Sequence, residues 1–277
     1  MPRSRGTGIT ESVELGLPVK RRPVPPKGGT TDGDLELLIE ACVDTVQSAI
    51  NAQAGGADRI ELCDNLADAG TTPSHGTMVA ALAALDIPVF PIIRLRGGGF
   101  VYSAAELAVM RLDVVHAREV GCDGVVVGAL TDHGDVDVNA VMILKEAAGD
   151  LPITFHRAFD VCADPVIALE TLIDLGIHRI LTSGQRETAW QGREIIAALR
   201  RQAEGRIVIM AGGGVDESNA GDLVRETGVS EIHVRGTMPW REVMNFHEEP
   251  VPFRRNLSED ETVRFVTDPV RIGAIRA

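Results

Sequence analysis

Between Leu35 and Gly236 the chain repeats one pattern: a short apolar run, then a segment with apolar residues at helical spacing. The runs fall at 35–42, 58–63, 88–94, 123–130, 151–157, 178–183, 206–214 and 230–236. The helical segments fall at 44–54, 75–85, 103–120, 137–148, 164–175, 188–203 and 217–226, with glycines at 55–56, 121 and 176 as stops. Strands that alternate with helices must pair in parallel, because each helix carries the chain back to the start of the sheet. Eight units of about 25 residues favour closure of that sheet into a (β/α)8 barrel, the TIM barrel, over an open one. No GxGxxG follows the first run, which also argues against a dinucleotide-binding sheet. The barrel is expected over 34–240, after a Pro-, Gly- and Lys/Arg-rich flexible leader at 1–33. An eighth helix is weak, since 239–252 hold three prolines, and 241–277 read as an irregular polar tail or an arm on a second subunit of a homo-oligomer.

Aromatic residues make up only 4% of the chain, so the core must come from Val, Ile, Leu and Ala, which suits buried parallel strands. A formal net charge of −13 repels polyanions, so nucleic acid and anionic membrane are not expected partners. No apolar stretch reaches the ~18 residues of a membrane span, and no secretory core opens the chain. Its four cysteines, Cys42, Cys63, Cys122 and Cys162, form no CxxC pair and no disulfide framework. Reduced thiols and a cytoplasmic location follow.

A closed parallel barrel carries its active site at the C-terminal ends of the strands. Those ends hold Glu40 and Cys42, Glu61 and Cys63, Arg94 and Arg96, His156 and Arg157 with Asp160, Thr182 to Gln185, Gly212 to Gly214, and His233 with Arg235. Residues two apart share a face, so Glu40 points with Cys42 and Glu61 with Cys63, on adjacent strands. One architectural reading is a set of Glu–Arg pairs, such as Glu61 with Arg94, that plug the barrel. A functional reading is a polar pocket for a small molecule. In it Glu61 or His156 serves as general base, and Arg94 or Arg157 holds an anionic or enolate oxygen beside Asp160. That describes a lyase or isomerase for a sugar-like or phosphorylated carbonyl compound. The turn Gly212, Gly213, Gly214, with Arg235, is a candidate anion site, because barrels often bind phosphate after strands seven and eight.

Metal chemistry is the other reading. Thiolates select Cu(I) and zinc, and Cys42 with Cys63 make a candidate two-coordinate copper(I) site at adjacent strand ends. Cys162, after Asp160, is a candidate third ligand, whereas Cys122 precedes the fourth strand at the opposite end and is expected to be inert.

The segments AGGADRIELC (54–63), PIIRLRGGGFVYS (91–103), TFHRAFDVCADP (154–165), ILTSGQ (180–185) and IMAGGGV (209–215) resemble the CutC family, in order, over roughly 35 to 238. The resemblance implies a cytoplasmic TIM-type barrel assigned to copper homeostasis, with copper proposed to bind through cysteines. Cys42, Cys63 and Cys162 match the family's cysteines, and Glu61, Arg94, Arg96, His156, Arg157, Asp160, Ser183 and Gln185 fall within its motifs. The leader, and a tail without a helical pattern after 240, depart from it.

Overall fold

A computed structural model describes residues 37–241 and 263–276. Eight strands form one parallel sheet: β1 (Leu38–Val43), β2 (Arg59–Leu62), β3 (Val89–Pro91), β4 (Val125–Val127), β5 (Ile153–Phe155), β6 (Arg179–Thr182), β7 (Val208–Gly212) and β8 (Glu231–Val234). Their order, β3-β2-β1-β8-β7-β6-β5-β4, joins the first strand to the eighth. A parallel bridge between Ile92 and Val126, with Ile93 N–H donating to the Val126 carbonyl at 2.7 Å, closes the barrel. The fold is the expected TIM barrel.

The helices are α1 (Val46–Ala54), α2 (His75–Ala84), α3 (Ala104–Glu119), α4 (Val138–Ala148), α5 (Pro165–Asp174), α6 (Arg193–Ala203) and α7 (Ala220–Thr227). The first five begin at side-chain caps, Thr45, Ser74, Ser103, Asp137 and Asp164, each satisfying an amide that the helix leaves open. Ser103 and Glu106 form a reciprocal capping box on α3. Helix α6 starts at Arg193 rather than 188 because Gly192 lies against the backbone of Ser183, leaving a Cβ there only 1.9 Å from its carbonyl oxygen.

Strand parity divides the side chains. Ile39, Ala41, Val43, Ile60 and Leu62 face the helices in the main apolar core. There a fully buried Leu, Ile, Met or Phe contributes about 1.5–3 kcal/mol each. Cys42, Cys63, Phe90, Ile92 and Val126 form a separate small cluster.

The tail corrects the sequence reading. The leader 1–33 and the span 242–262 lie outside the described residues, but 263–276 is not irregular. Strand β9 (Thr237–Arg241) pairs antiparallel with β10 (Val263–Thr267), and α8 (Pro269–Ala274) follows. Ile272 of α8 is fully buried against Gly55 and Gly236, where added Cβ atoms would come within 2.7 Å of it. This short helix supplies the eighth unit. Its six residues carry too little periodicity to read, although Asp268-Pro269, its cap and first turn, was a legible signal.

Candidate functional site

The barrel interior carries charge in two layers. In the deeper one, Arg59 on β2 reaches Glu40 on β1 and Glu231 on β8, the latter at 2.6 Å. Arg179 on β6 grips the same Glu231 with two bonds, at 2.5 and 3.1 Å, and donates to Thr154 on β5 at 3.2 Å. The Arg59 guanidinium carbon lies over the Phe90 ring, 5.3 Å from the ring centroid. Burial alone would push the Glu40 carboxyl up, but Arg59 and His233 override it and hold the group well below the usual carboxylate range.

Above this floor, His233 Nδ1 sits 2.8 Å from Glu40 Oε1 and its Nε2 lies 3.5 Å from Glu61 Oε2. The thiols of Cys42 and Cys63 stand 3.7 Å apart. One ligand atom each from Cys42, Glu61 and Cys63 lies within 4.8 Å of the others, and all three residues are buried. Either thiol can donate to the other. The Cys63 S–H and the His233 ring favour the Cys42 thiolate, so Cys42 is held well below the ordinary thiol range and Cys63 well above it. Burial and the Cys42 charge push Glu61 up, toward its neutral acid. Burial would lower His233, but Glu61, Cys42 and Glu40 raise it well above the ordinary imidazole range.

A cavity of about 510 Å³ opens over this group, with Cys42, Glu61, Arg94, Phe100, His156, Arg157, Gly213, Gly214, His233 and Arg235 on its wall. The guessed Glu61–Arg94 pair does not form. Arg94 lies past the end of β3 and donates instead to the carbonyls of Asp68, Gly70 and Gly98, at 2.6, 2.8 and 2.9 Å. Carbonyls in irregular loops lack ladder partners, and the guanidinium fills that need. Arg96, on the exposed side, holds Glu106 at 2.5 Å and the carbonyls of Gly97, Gly99 and Val101.

Asp160 is not on the cavity wall. It accepts from Thr182 Oγ1 at 2.5 Å, from Ser183 N and Oγ, from Gln185 N, and from Arg157 Nε at 2.7 Å. It therefore ties the end of β5 to the end of β6 and orients Arg157, whose other arm meets Ser183 Oγ at 2.8 Å. Of the glycine turn, Gly213 and Gly214 take positive φ, +105° and +68°, and line the cavity. Gly212 belongs to β7, where a Cβ would strike Leu181 and His233 at 2.5 and 2.9 Å, a packing role. Arg235 is exposed on the rim.

His156 is 4% exposed, and its Nδ1 accepts from Ala158 N–H at 3.1 Å. Gly128 leaves room for the ring: a Cβ there would come within 2.3 Å of it. Burial, then the Arg94 charge, pushes its pKa down to about 3, so it is a neutral imidazole.

The candidate third ligand, Cys162, stands elsewhere: its Sγ accepts from Gln185 Nε2 at 3.5 Å, and burial with Asp160 pushes its thiol up to about 11. Glu61, not Cys162, is the third residue grouped with Cys42 and Cys63. Cys122 is buried between helix and strand just before β4. No disulfide joins any of the four cysteines. The sequence reading passed over Arg59, Arg179 and Glu231. Parity carried the signal, since Arg59 alternates with Glu61 and Cys63, and Glu231 with His233.

A sequence model of the CutC family matches residues 37–238. The human copper homeostasis protein cutC homolog is 43% identical over 93% of this chain and 94% of its own length. A CutC family protein of Xanthomonas axonopodis pv. citri is 48% identical over 80% of this chain and 91% of its own. The crystal structure of a CutC protein from Streptococcus agalactiae, 39% identical, superposes with a TM-score of 0.69 over 71% of this chain and 97% of that one.

Proposed function

The chain belongs to the CutC family, and we propose that it handles copper as Cu(I) on the thiol pair of Cys42 and Cys63, with Glu61 beside them. One observation carries this reading: two buried sulfurs 3.7 Å apart and a carboxyl within 4.8 Å of both, under an open cavity. The paired sulfurs fit a soft ion, since thiolate prefers Cu(I) and the Cys42 thiol is held well below the ordinary range. Geometry refines the expected coordination. Two sulfurs each about 2.3 Å from a metal stand about 3.8 Å apart at a tetrahedral angle and about 4.6 Å apart when linear. The observed separation suits a bent pair, with Glu61 as third donor once the bound cation displaces its proton, rather than a two-coordinate site. Human and mouse relatives carry copper homeostasis in their names, which agrees with copper as cargo. No helix of the described residues is long and apolar enough to cross a membrane. We place the chain in the cytoplasm, where thiols stay reduced.

The test is a Cu(I) titration of the reduced full chain against a colorimetric chelator, beside the Cys42→Ser/Cys63→Ser double variant. The wild type should withhold one copper from the chelator and the variant none; equal loss by both would end the copper reading.

A second reading is favoured by the cavity itself, whose wall gathers Arg94, Arg157, Arg235 and the Gly213–Gly214 turn. Guanidiniums and left-handed glycine amides suit a small anion, such as a phosphorylated or carboxylated carbonyl compound, held for a lyase or isomerase reaction. In that reading Glu61, raised toward its neutral form, is the acid/base group, Asp160 positions Arg157, and neutral His156 polarises rather than deprotonates. Glu61→Gln should then abolish turnover of such a compound, with the cysteine double variant still active.

A further inference from the structure

Four buried side-chain polar atoms among the described residues have no hydrogen-bond partner: Arg94 Nε, Tyr102 Oη, His156 Nε2 and Thr267 Oγ1. Native interiors leave few such groups, because each costs about 1–3 kcal/mol. Two of the four, Arg94 Nε and His156 Nε2, belong to residues packed on one ring. Phe100 has its centroid 5.0 Å from that of His156 and 5.3 Å from the Arg94 guanidinium carbon. All three residues line the cavity.

The tautomer of His156 follows from its surroundings. Its Nδ1 accepts the Ala158 amide, so Nδ1 carries no proton. The neutral ring therefore carries its proton on Nε2, which makes Nε2 a donor. Arginine is a donor at every nitrogen. Two buried donors thus flank one aromatic ring, His156 Nε2 with no acceptor and Arg94 Nε with none nearer than the adjacent Tyr102 hydroxyl. That ring follows Gly97, Gly98 and Gly99; Gly98 holds φ +81°, and a Cβ on Gly99 would meet nothing within 4 Å. Arg94 and Arg96 tie the backbone of this segment, so a ligand would displace the Phe100 side chain and leave its backbone in place.

We propose that Arg94 Nε–H and His156 Nε2–H together form a binding site for a carboxylate or carbonyl oxygen of a small molecule, in the space the Phe100 ring now fills. The proposal rests on the second reading above, in which the cavity takes a small anion, and names the part of the ligand it grips. An oxygen there satisfies both donors, and the neighbouring arginine charge favours an anionic one. His156 is then an electrophilic donor and not a base.

The test uses the full chain labelled with 15N, in wild-type form and in the Cys42→Ser/Cys63→Ser background, so that thiol chemistry does not intrude. The probes are pyruvate and 2-phosphoglycolate at millimolar concentration. The His156 ring should show its proton on Nε2, and either probe should shift that resonance. His156→Ala should weaken binding about tenfold, as expected for a lost hydrogen bond to a charged acceptor. His156→Gln, which keeps a donor, should weaken it less, and Phe100→Ala should strengthen it. A dispersed amide spectrum checks that each variant folds. A proton on Nδ1, or a probe that binds wild type and both His156 variants equally, overturns the inference and leaves the cavity reading standing. No binding by either probe to wild type or to Phe100→Ala overturns both.

Discussion

Arg59 on β2 and Arg94 just past the end of the neighbouring β3 are equally hidden, 3% and 5% exposed. Arg59 sits in the barrel floor between two carboxylates, with Arg179 completing the group. Arg94 sits at the rim among carbonyl oxygens and leaves one nitrogen unpaired beside a cavity. The contrast separates two uses of buried charge. Paired on all sides, it is architecture, setting which strand ends meet. Incompletely paired and next to open space, it can receive a ligand.

The largest effect should come from breaking the floor. Arg59→Met leaves Glu40 with His233 alone and Glu231 with Arg179 alone, and removal of one partner from buried charges costs up to about 3–5 kcal/mol. Urea unfolding at neutral pH reads this directly; a loss below about 1 kcal/mol would show that the floor is solvated. A second test moves to the rim by way of pH. Folded His156 binds a proton only near pH 3, whereas the unfolded imidazole binds one at about 6.5. Its contribution is fully present above pH 6.5 and is lost as pH falls from there toward 3, at about 1.4 kcal/mol per pH unit. His156→Gln should flatten that part of the stability curve, and an unchanged slope would mean that the ring charges in the fold. A smaller effect is expected for the thiols. Cys42→Ser and Cys63→Ser should each cost about 1 kcal/mol of stability as hydroxyls replace sulfurs in an apolar cluster. A loss several times larger would make the pair part of the floor. The smallest effect calibrates the rest: breaking the exposed Arg206–Glu170 bridge, over 40% accessible on both sides, in Arg206→Ala should leave the midpoint of urea unfolding essentially where it is.

Much of this was legible in the sequence for a local reason. Each βα unit announces itself by a change of hydrophobic period, so seven helices and eight strands could be placed within a few residues, α6 being the exception. Parity along β1 and β2 put Glu40 with Cys42, and Glu61 with Cys63, on common faces. Which charges meet across the barrel was not legible. Glu61 neighbours His233 instead of Arg94, and Glu40 joins Arg59 and His233, because closure sets β8 beside β1 across some 190 residues of chain. Asp160 looked like a reacting group from its place among strand-end charges, and only its five donors reveal a brace.

By itself the sequence determined the repeating unit, the sidedness of each strand and the stock of thiols, carboxyls and guanidiniums at one end of the sheet, since these depend on residues a few positions apart. The tertiary structure decided the partners: which thiols pair, which arginine is saturated, which imidazole nitrogen accepts, and that a six-residue helix beyond 263 completes the eighth unit. Those outcomes depend on burial and on groups far apart in the chain, and interactions of that kind acquire their strength only once the barrel has closed and excluded water.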